Sequence, residues 1–433
     1  MNSTPSPRPF WLAGLSGAAE IEASISRQLA ETLPRLASHA ATNPTWLRRY
    51  RTGLMFLLPT IASGLGLSTL DQLRKLRVLE VGCGDGSKST ALAPFFGSYL
   101  GIDLSPRQID SARAHARLLG TERLELRVTA VAQIDEILGD SDGFDVYVLY
   151  AVVEHLTIPE RLHLLRSIWA QMKPGSLLVV AELPNRLCPV DHHSSELPYI
   201  DTLPDELALE YARKSPRPYF LDRVFGSENH IENLYRIGRG ASHHEFELAL
   251  GASLSSHIAV DGWDTDSLNQ FPVRPYETLL HRTFQSYRSA SQSAVHPVPD
   301  GFARYWMQFV FRKALKAPLP ALHIVDLGAF SRSAGMANAD MPVYRADRGI
   351  LYPVAPGAEA LSVGWVAASL KGDVVVEDGK GRRLFAARGQ EIIDAAGGHW
   401  NPFVTTRFAT HGADAVRIVC DNRDVRLAYL LAR

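Results

Sequence analysis

Three glycines alternate in the stretch Val78-Leu79-Glu80-Val81-Gly82-Cys83-Gly84-Asp85-Gly86. The apolar run before them reads as a buried strand. The glycines read as a turn whose backbone takes positive φ and comes close to a ligand. A second apolar run, residues 98–102, ends at Asp103. An acid at the end of the second strand of a doubly wound sheet is placed to accept hydrogen bonds from ribose hydroxyls. The chemistry implied is capture of a nucleoside. The spacing is Gly-x-Gly-x-Gly, which is neither the dinucleotide Gly-x-Gly-x-x-Gly nor a phosphate loop closing on Gly-Lys-Ser/Thr. Glu80, in the strand before the turn, would repel a pyrophosphate and suits a ligand with a positive ammonium group.

These residues need a scaffold, and the flanking sequence supplies one. Strands are expected at 78–81, 98–102, 124–130, 144–150 and 176–181, with helices at 87–96, 106–119 and 159–172 between them. Strand and helix in this rhythm give a parallel α/β sheet. Ligands of such sheets lie beyond the carboxyl ends of the strands, so the residues after each strand share one cleft. Two helical stretches, 18–37 and 45–64, precede the sheet, the second starting at Asn43-Pro44. They either cover the cofactor or only cap the sheet. After Glu182 the rhythm stops, and 183–240 is too long for a plain loop. It is expected to be a functional insertion or a small helical lid. A helix near 242–251, a short strand near 256–260 and a last, antiparallel strand at 304–311 complete this part, and 284–299 has loop character.

Residues Glu80 to Gly86 with Asp103 closely resemble the first two motifs of class I S-adenosylmethionine-dependent methyltransferases. Glu154-His155-Leu156, after the fourth strand, matches the Glu-His-Leu/Val common there. Glu182 to Pro198 resembles an Asn-Arg-Leu-x-Pro-x-Asp-x-His-x-x-x-Leu-Pro segment of bacterial methyltransferase-like proteins. The resemblance implies a Rossmann-like fold with S-adenosylmethionine as methyl donor and S-adenosylhomocysteine as product. It implies cofactor contacts from Glu80, Gly82, Cys83, Gly84, Asp85, Gly86, Asp103 and Leu104, then Val131, Ala132, Tyr150, Ala151 and His155. The chain departs from the family at Ala130–Ala132, where many members place an acid toward the adenine.

Methyl transfer to oxygen requires removal of a proton, and on the segment's pattern His193 is the candidate general base, with Asp191 fixing its tautomer. The alternative is that Asp191, His192 and His193 only order the lid. Arg186, His192, Tyr199 and His244 are candidate acceptor contacts. No metal is expected: the pair His243-His244 lies beside Glu245 and Glu247, but adjacent helical residues point about 100° apart.

Composition bounds the rest. The chain has 433 residues, 46% of them hydrophobic, and a formal net charge of -1. No long basic run invites nucleic acid. Three widely spaced cysteines argue against a disulfide framework and for a reducing cytoplasm. The longest early apolar stretch, 53–59, is too short to span a bilayer. From about 318 the composition changes: a Pro-rich linker, then short runs at 322–327, 360–368, 373–377, 383–386, 403–408, 415–420 and 425–431. Asp378-Gly379-Lys380-Gly381 is a hairpin signal. Such runs suggest a β-sandwich or jelly roll, serving structure, oligomerisation, or glycan or substrate binding.

The expected organisation is therefore N-terminal helices over 1–70, a methyltransferase domain over 71–317 with its lid at 183–240, and a β domain over 321–433. The leading functional expectation is methyl transfer to a hydroxyl of a sugar, glycan end or small metabolite, with a homo-oligomer left open. N-methylation, or a non-catalytic S-adenosylmethionine-binding protein with a glycan- or partner-binding β domain, are the alternatives.

Overall fold

The computed structural model describes residues 19–36, 43–67, 69–139, 143–251, 254, 257–260, 276–277, 279–280, 283–284 and 298–313. In the C-terminal part it describes 323–324, 344–345, 351–354, 358, 360–366, 369–395, 403–420 and 425–432. These residues fall into two compact units, one running up to 260 and resuming from Leu280 to Lys313, the other holding Tyr276, Glu277 and Leu279 together with the residues after 320, so the second unit also draws on a segment that the sequence assigned to the first.

The first unit is built on a seven-stranded sheet. Its strands are β1 (Arg77–Val81), β2 (Ser98–Asp103), β3 (Leu124–Val128), β4 (Val146–Tyr150), β5 (Leu177–Pro184), β6 (Ile258–Val260) and β7 (Trp306–Arg312). The order is β3-β2-β1-β4-β5-β7-β6. The first five strands are parallel, and β7 runs antiparallel to both β5 and β6. All five residues of β4 are buried, as a central parallel strand requires.

Helices fill the crossovers, and their ends are set by local chemistry. Preceding the sheet are α1 (Ala19–Arg35), α2 (Pro44–Thr52), α3 (Leu58–Leu65) and α4 (Leu70–Leu73). Asn43 caps α2 by accepting the Trp46 N–H at 3.0 Å. A π-helical turn, Gly53–Leu57, joins α2 to α3, so the stretch expected as one helix continues through a bulge. The crossover helices are α5 (Ser87–Leu92), α6 (Pro106–Leu119), α7 (Ile134–Gly139) and α8 (Ile158–Gln171). Helix α5 stops sooner than the apolar pattern suggested and tightens into a 3-10 turn, Ala93–Phe95, that contains Pro94. Ser105 caps α6, Pro106 opens it, and Gly120 closes it in the left-handed region. Thr157 and Glu160 form a capping box on α8.

The insertion after β5, expected as a lid, contains three short helices, α9 (Asp205–Ala212), α10 (Pro218–Phe225) and α11 (His230–Arg236). It has a small core of its own, including Leu197, Ala208, Phe220, Val224 and Leu234. Helix α12 (His243–Leu250) follows, capped by Ser242 with Glu245. Its Phe246, Ala249 and Leu250 join the main core beneath β4, β5 and β7. Most of 284–299, read as loop, lies outside the described residues.

The second unit contains two antiparallel sheets. One pairs Asp373–Asp378 with Arg383–Arg388 and with Ala415–Cys420. The other pairs Ala360–Val366 with Phe403–Ala409 and Arg426–Ala432. Burial alternates along Asp373–Asp378 and Ala415–Cys420, the mark of a sheet with one inner face. Phe385 of the first sheet stacks on Phe408 of the second at 5.2 Å. The expected hairpin is present, with Asp378 accepting the N–H groups of Lys380 and Arg382. A helix at Gly389–Ala395 was not anticipated. Of the expected run 322–327, only His323–Ile324 is described.

Candidate functional site

Parallel strands bring the ends of β1, β2, β3, β4 and β5 to one edge, and the glycine turn forms the centre of it. Gly82, Gly84 and Gly86 all have positive φ (71°, 55° and 72°), for different reasons. A Cβ on Gly82 would stand 2.4 Å from Val152 Cγ2, and one on Gly86 would stand 2.6 Å from Ala112 Cβ. Those two glycines permit packing. A Cβ on Gly84 would meet nothing within 4 Å, so this glycine faces open space. Its N–H donates to Asp103 Oδ2 at 2.9 Å, while Ser105 N–H donates to Oδ1 at 2.8 Å. The carboxylate is thus fixed in orientation and keeps lone pairs for further donors. Leu104 beside it is 71% exposed, and Val131 and Ala132 remain partly or fully exposed beyond β3. An oriented carboxylate with free lone pairs, flanked by an exposed apolar side chain, fits the adenosine expected of S-adenosylmethionine.

Helix α2 lies against this turn. Trp46 Nε1 donates to the Asp85 carbonyl at 3.4 Å, His115 Nδ1 meets the same carbonyl at 3.0 Å, and the two rings pack at 4.5 Å. Arg49 stands 3.9 Å from the Asp85 carboxylate. The residues of the cleft are thus braced from the N-terminal side.

Several expected cofactor residues prove to be internal. Glu80 is fully buried, and its Oε2 accepts Ser89 Oγ at 2.5 Å and Tyr99 OH at 2.9 Å. It cannot meet an ammonium group directly, because β1 turns this side chain inward under α5. Lys88 is buried near it. Its Nζ lies 3.9 Å over the Tyr150 ring. Burial pushes the Glu80 carboxyl up and the Lys88 ammonium down, and each charge opposes the shift of the other. Burial, followed by the charge and hydrogen bond of Glu182, pushes the Tyr150 phenol up. Cys83 packs with Ile109, Ala112 and Leu126, and burial raises its thiol. Its side chain is core, which leaves only its backbone for a ligand. Ala151 and Glu182, at the ends of β4 and β5, hold φ of 52° and 50°, a strained geometry that concentrates at working edges.

The lid places the histidines. Asp191 is not the tautomer-fixing partner that the sequence suggested. Its Oδ1 accepts the backbone N–H groups of His193 (2.9 Å) and Ser194 (3.0 Å), and its Oδ2 takes the N–H and hydroxyl of Ser195 and the hydroxyl of Ser194. Burial pushes this carboxyl up, but the surrounding donors outweigh it and hold it low. Arg217 clamps the same loop through the carbonyls of His192, His193 and Ser194. The His193 ring instead faces His155, with centroids 5.8 Å apart, and packs edge-on to Trp306. Burial, then the nearby His155, lowers His193 to about 4, so its ring is unprotonated at neutral pH. His155 Nδ1 lies 3.0 Å from the Arg236 carbonyl. Beneath it Glu154 is fully buried, and burial pushes its carboxyl up to about 8. The sequence reading found this pair but did not foresee that the lid would close His193 onto it.

The proposed acceptor contacts separate. Arg186 is a correction: its Nε and Nη2 donate to the Asp201 carbonyl at 3.1 and 2.8 Å, so it braces the lid. His192 is half-buried against Tyr305. Tyr199 is 59% exposed. His244 is exposed, with Nδ1 3.1 Å from Ser242 Oγ, and stacks on His243 at 3.8 Å. Arg161 was missed. It is fully buried and donates to the carbonyls of Leu156, Glu154, Gly240 and Arg239 and to Glu245. A buried arginine in α8 ties the Glu154 turn to the end of the lid.

Residues 73–216 match the family described as "Methyltransferase domain". The match identifies this part of the chain as a methyltransferase domain. Over 107 residues the chain is 36% identical to the ubiquinone biosynthesis O-methyltransferase of Coxiella burnetii, covering 24% of this chain and 43% of that protein. Over 108 residues it is 34% identical to the protein of that name from Cereibacter sphaeroides, covering 25% and 41%. The chain thus spans less than half the length of these curated relatives. Among solved structures it is similar to an S-adenosylmethionine-dependent methyltransferase from Clostridium acetobutylicum, at 14% identity over 37% of this chain and 61% of that one, with a TM-score of 0.29.

Proposed function

We propose that the chain transfers the methyl group of S-adenosylmethionine to an oxygen of a small-molecule or glycan acceptor held between the strand ends and the lid. The observation that carries this reading is geometric: the His193 ring faces His155, on the insertion that follows the sheet edge where Gly84 and Asp103 form an open corner. The bound cofactor supplies an electrophilic methyl on a sulfonium centre. Gly84 N–H fixes Asp103, and Asp103 accepts the ribose hydroxyls. Glycine at 84 lets the nucleoside approach the backbone. The lid holds the acceptor oxygen in line and excludes water. His193 takes the hydroxyl proton as the oxygen gains the methyl and the carbon–sulfur bond breaks. Tyr199 contacts the acceptor from the lid surface.

In this reading the helices α1 to α4 brace the cofactor cleft, 71–317 carry the chemistry with 183–240 as lid, and 321–433 serve assembly or acceptor binding. A reducing, cytoplasmic setting is supported by three buried cysteines, none in a disulfide. None of the described helices is long and apolar enough to cross a membrane.

The test is an acceptor screen by mass shift of one methyl group, run on wild type and His193→Ala. Transfer lost in the variant while S-adenosylhomocysteine still binds is expected. Unchanged turnover would remove His193 from the proton step, and a wild-type chain that binds no S-adenosylhomocysteine would end the whole reading.

A further inference from the structure

We propose that Glu154, His155 and His193 form a binding site for one divalent transition-metal cation. One carboxylate oxygen and two imidazole nitrogens from these residues lie within 4.8 Å of one another. Three converging donors with a fourth position left over suit an ion that also binds a substrate oxygen. Two imidazoles and a carboxylate favour zinc or iron(II) over magnesium or calcium.

Glu154 points to the ion independently. Its side chain is fully buried, and no other residue hydrogen-bonds either carboxylate oxygen. Buried carboxylates are ordinarily paired, hydrogen-bonded or coordinated to metal. His155 Nε2 stands 3.8 Å from Glu154 Oε1, too far for a hydrogen bond and near enough to share a cation.

The surroundings are those of a ligand set. The Arg236 carbonyl, 3.0 Å from His155 Nδ1, is an acceptor only, so Nδ1 carries the proton and Nε2 presents its lone pair to the Glu154 side. Ligating histidines characteristically donate their other N–H in this way. His193 is held on both sides by its backbone, its N–H on Asp191 and its carbonyl on Arg217 Nη1 at 2.8 Å. Gly238 (φ 116°) passes beside both rings, where a Cβ would stand 2.5 Å from His193 Nε2 and 3.2 Å from His155 Cε1. Glycine there keeps the nitrogens clear.

What the ion does rests on the reading of this cleft as the acceptor site. Whether it binds does not. A hydroxyl coordinated at the open position loses its proton to solvent more readily. His193 then serves as ligand in the loaded chain and as proton acceptor only in the stripped one.

The experiment strips the full chain with a chelator and dialyses it against zinc alone, with metal counted by mass spectrometry. Wild type and a His230→Ala control are expected to retain about one equivalent, and Glu154→Gln and His193→Ala less than about a tenth. Zinc should raise the melting temperature of wild type and not of the variants. Should Glu154→Gln fail to fold, His193→Ala, on the lid, decides alone. Wild type retaining no zinc, or His193→Ala retaining as much as wild type, would overturn the site. Zinc bound without methyl transfer to any acceptor would sink the proposed function and leave the site standing. Transfer undiminished in a stripped chain that binds no zinc would do the reverse.

Discussion

The carboxylate of Asp191 receives the backbone N–H of His193 at 2.9 Å. The acid therefore sets where the lid histidine stands by shaping the main chain. Its other acceptor positions go to Ser194, Ser195 and the Tyr305 hydroxyl. Asp191→Ala leaves the donors of 193–195 unpaired and is expected to cost about 3 kcal/mol. Asp191→Asn should recover less than half, because its amide group presents donors to donors. Denaturant midpoints measure both costs. Hydrogen exchange should show lost protection at the amides of 193–195.

The glycines of the turn should separate by role. Gly84→Ala places a methyl in open space at φ 55°, a strain of about 1 kcal/mol. It should weaken S-adenosylhomocysteine at least about tenfold by calorimetry, since a lost contact of about 1.4 kcal/mol is a tenfold change. Gly82→Ala drives a methyl to 2.4 Å from Val152 Cγ2 and should cost about 2–3 kcal/mol in stability. Equal melting temperatures for the two variants would contradict this division.

Arg161→Met should be among the most damaging single changes in the domain. The guanidinium serves four carbonyls and Glu245 with no exposed surface. Its removal leaves them unpaired in a dry interior, at about 3–5 kcal/mol. The measure is a shift in the unfolding midpoint, and a loss below about 1 kcal/mol would mean that water replaces the side chain.

Acid should loosen the lid through Glu160. Burial raises this carboxyl, but the two bonds from Arg236 and the Thr157 N–H and hydroxyl outweigh it and hold it at about 2, against an ordinary 4.5. The folded value lies below the unfolded one. The interaction therefore contributes fully above about pH 4.5 and is lost as pH falls toward about 2. With both side chains about a third exposed, the pair is worth about 1 kcal/mol or less. Melting temperature against pH should fall less steeply between pH 4.5 and 3 in Arg236→Ala than in wild type.

The sheet was legible because its strands are apolar runs between turn signals, and β4 is nearly continuous in apolar residues. The open corner was legible because glycine and a following acid carry their meaning locally. What the sequence could not show depends on partners far along the chain. Arg161 meets Gly240 and Glu245, 79 and 84 positions away, and nothing around it marks it as buried. Glu80 is expected to face an ammonium group because of its charge beside the glycine turn, yet the pleat sends it into the core. His243 and His244, neighbours in sequence, have rings that stack on each other. The group that converges joins residues from two distant segments.

His155 and Arg236 are bonded twice, ring nitrogen to carbonyl at 3.0 Å and guanidinium to carbonyl at 3.1 Å. Both bonds cross from the sheet edge to α11. The three converging donors are divided the same way, Glu154 and His155 on the sheet side, His193 on the lid. A lid that swung away would carry off one corner of the triangle and break the reciprocal pair together. Admission of the acceptor and assembly of the groups that act on it would then be a single event, and an open chain would hold its methyl donor with nothing armed to receive the proton.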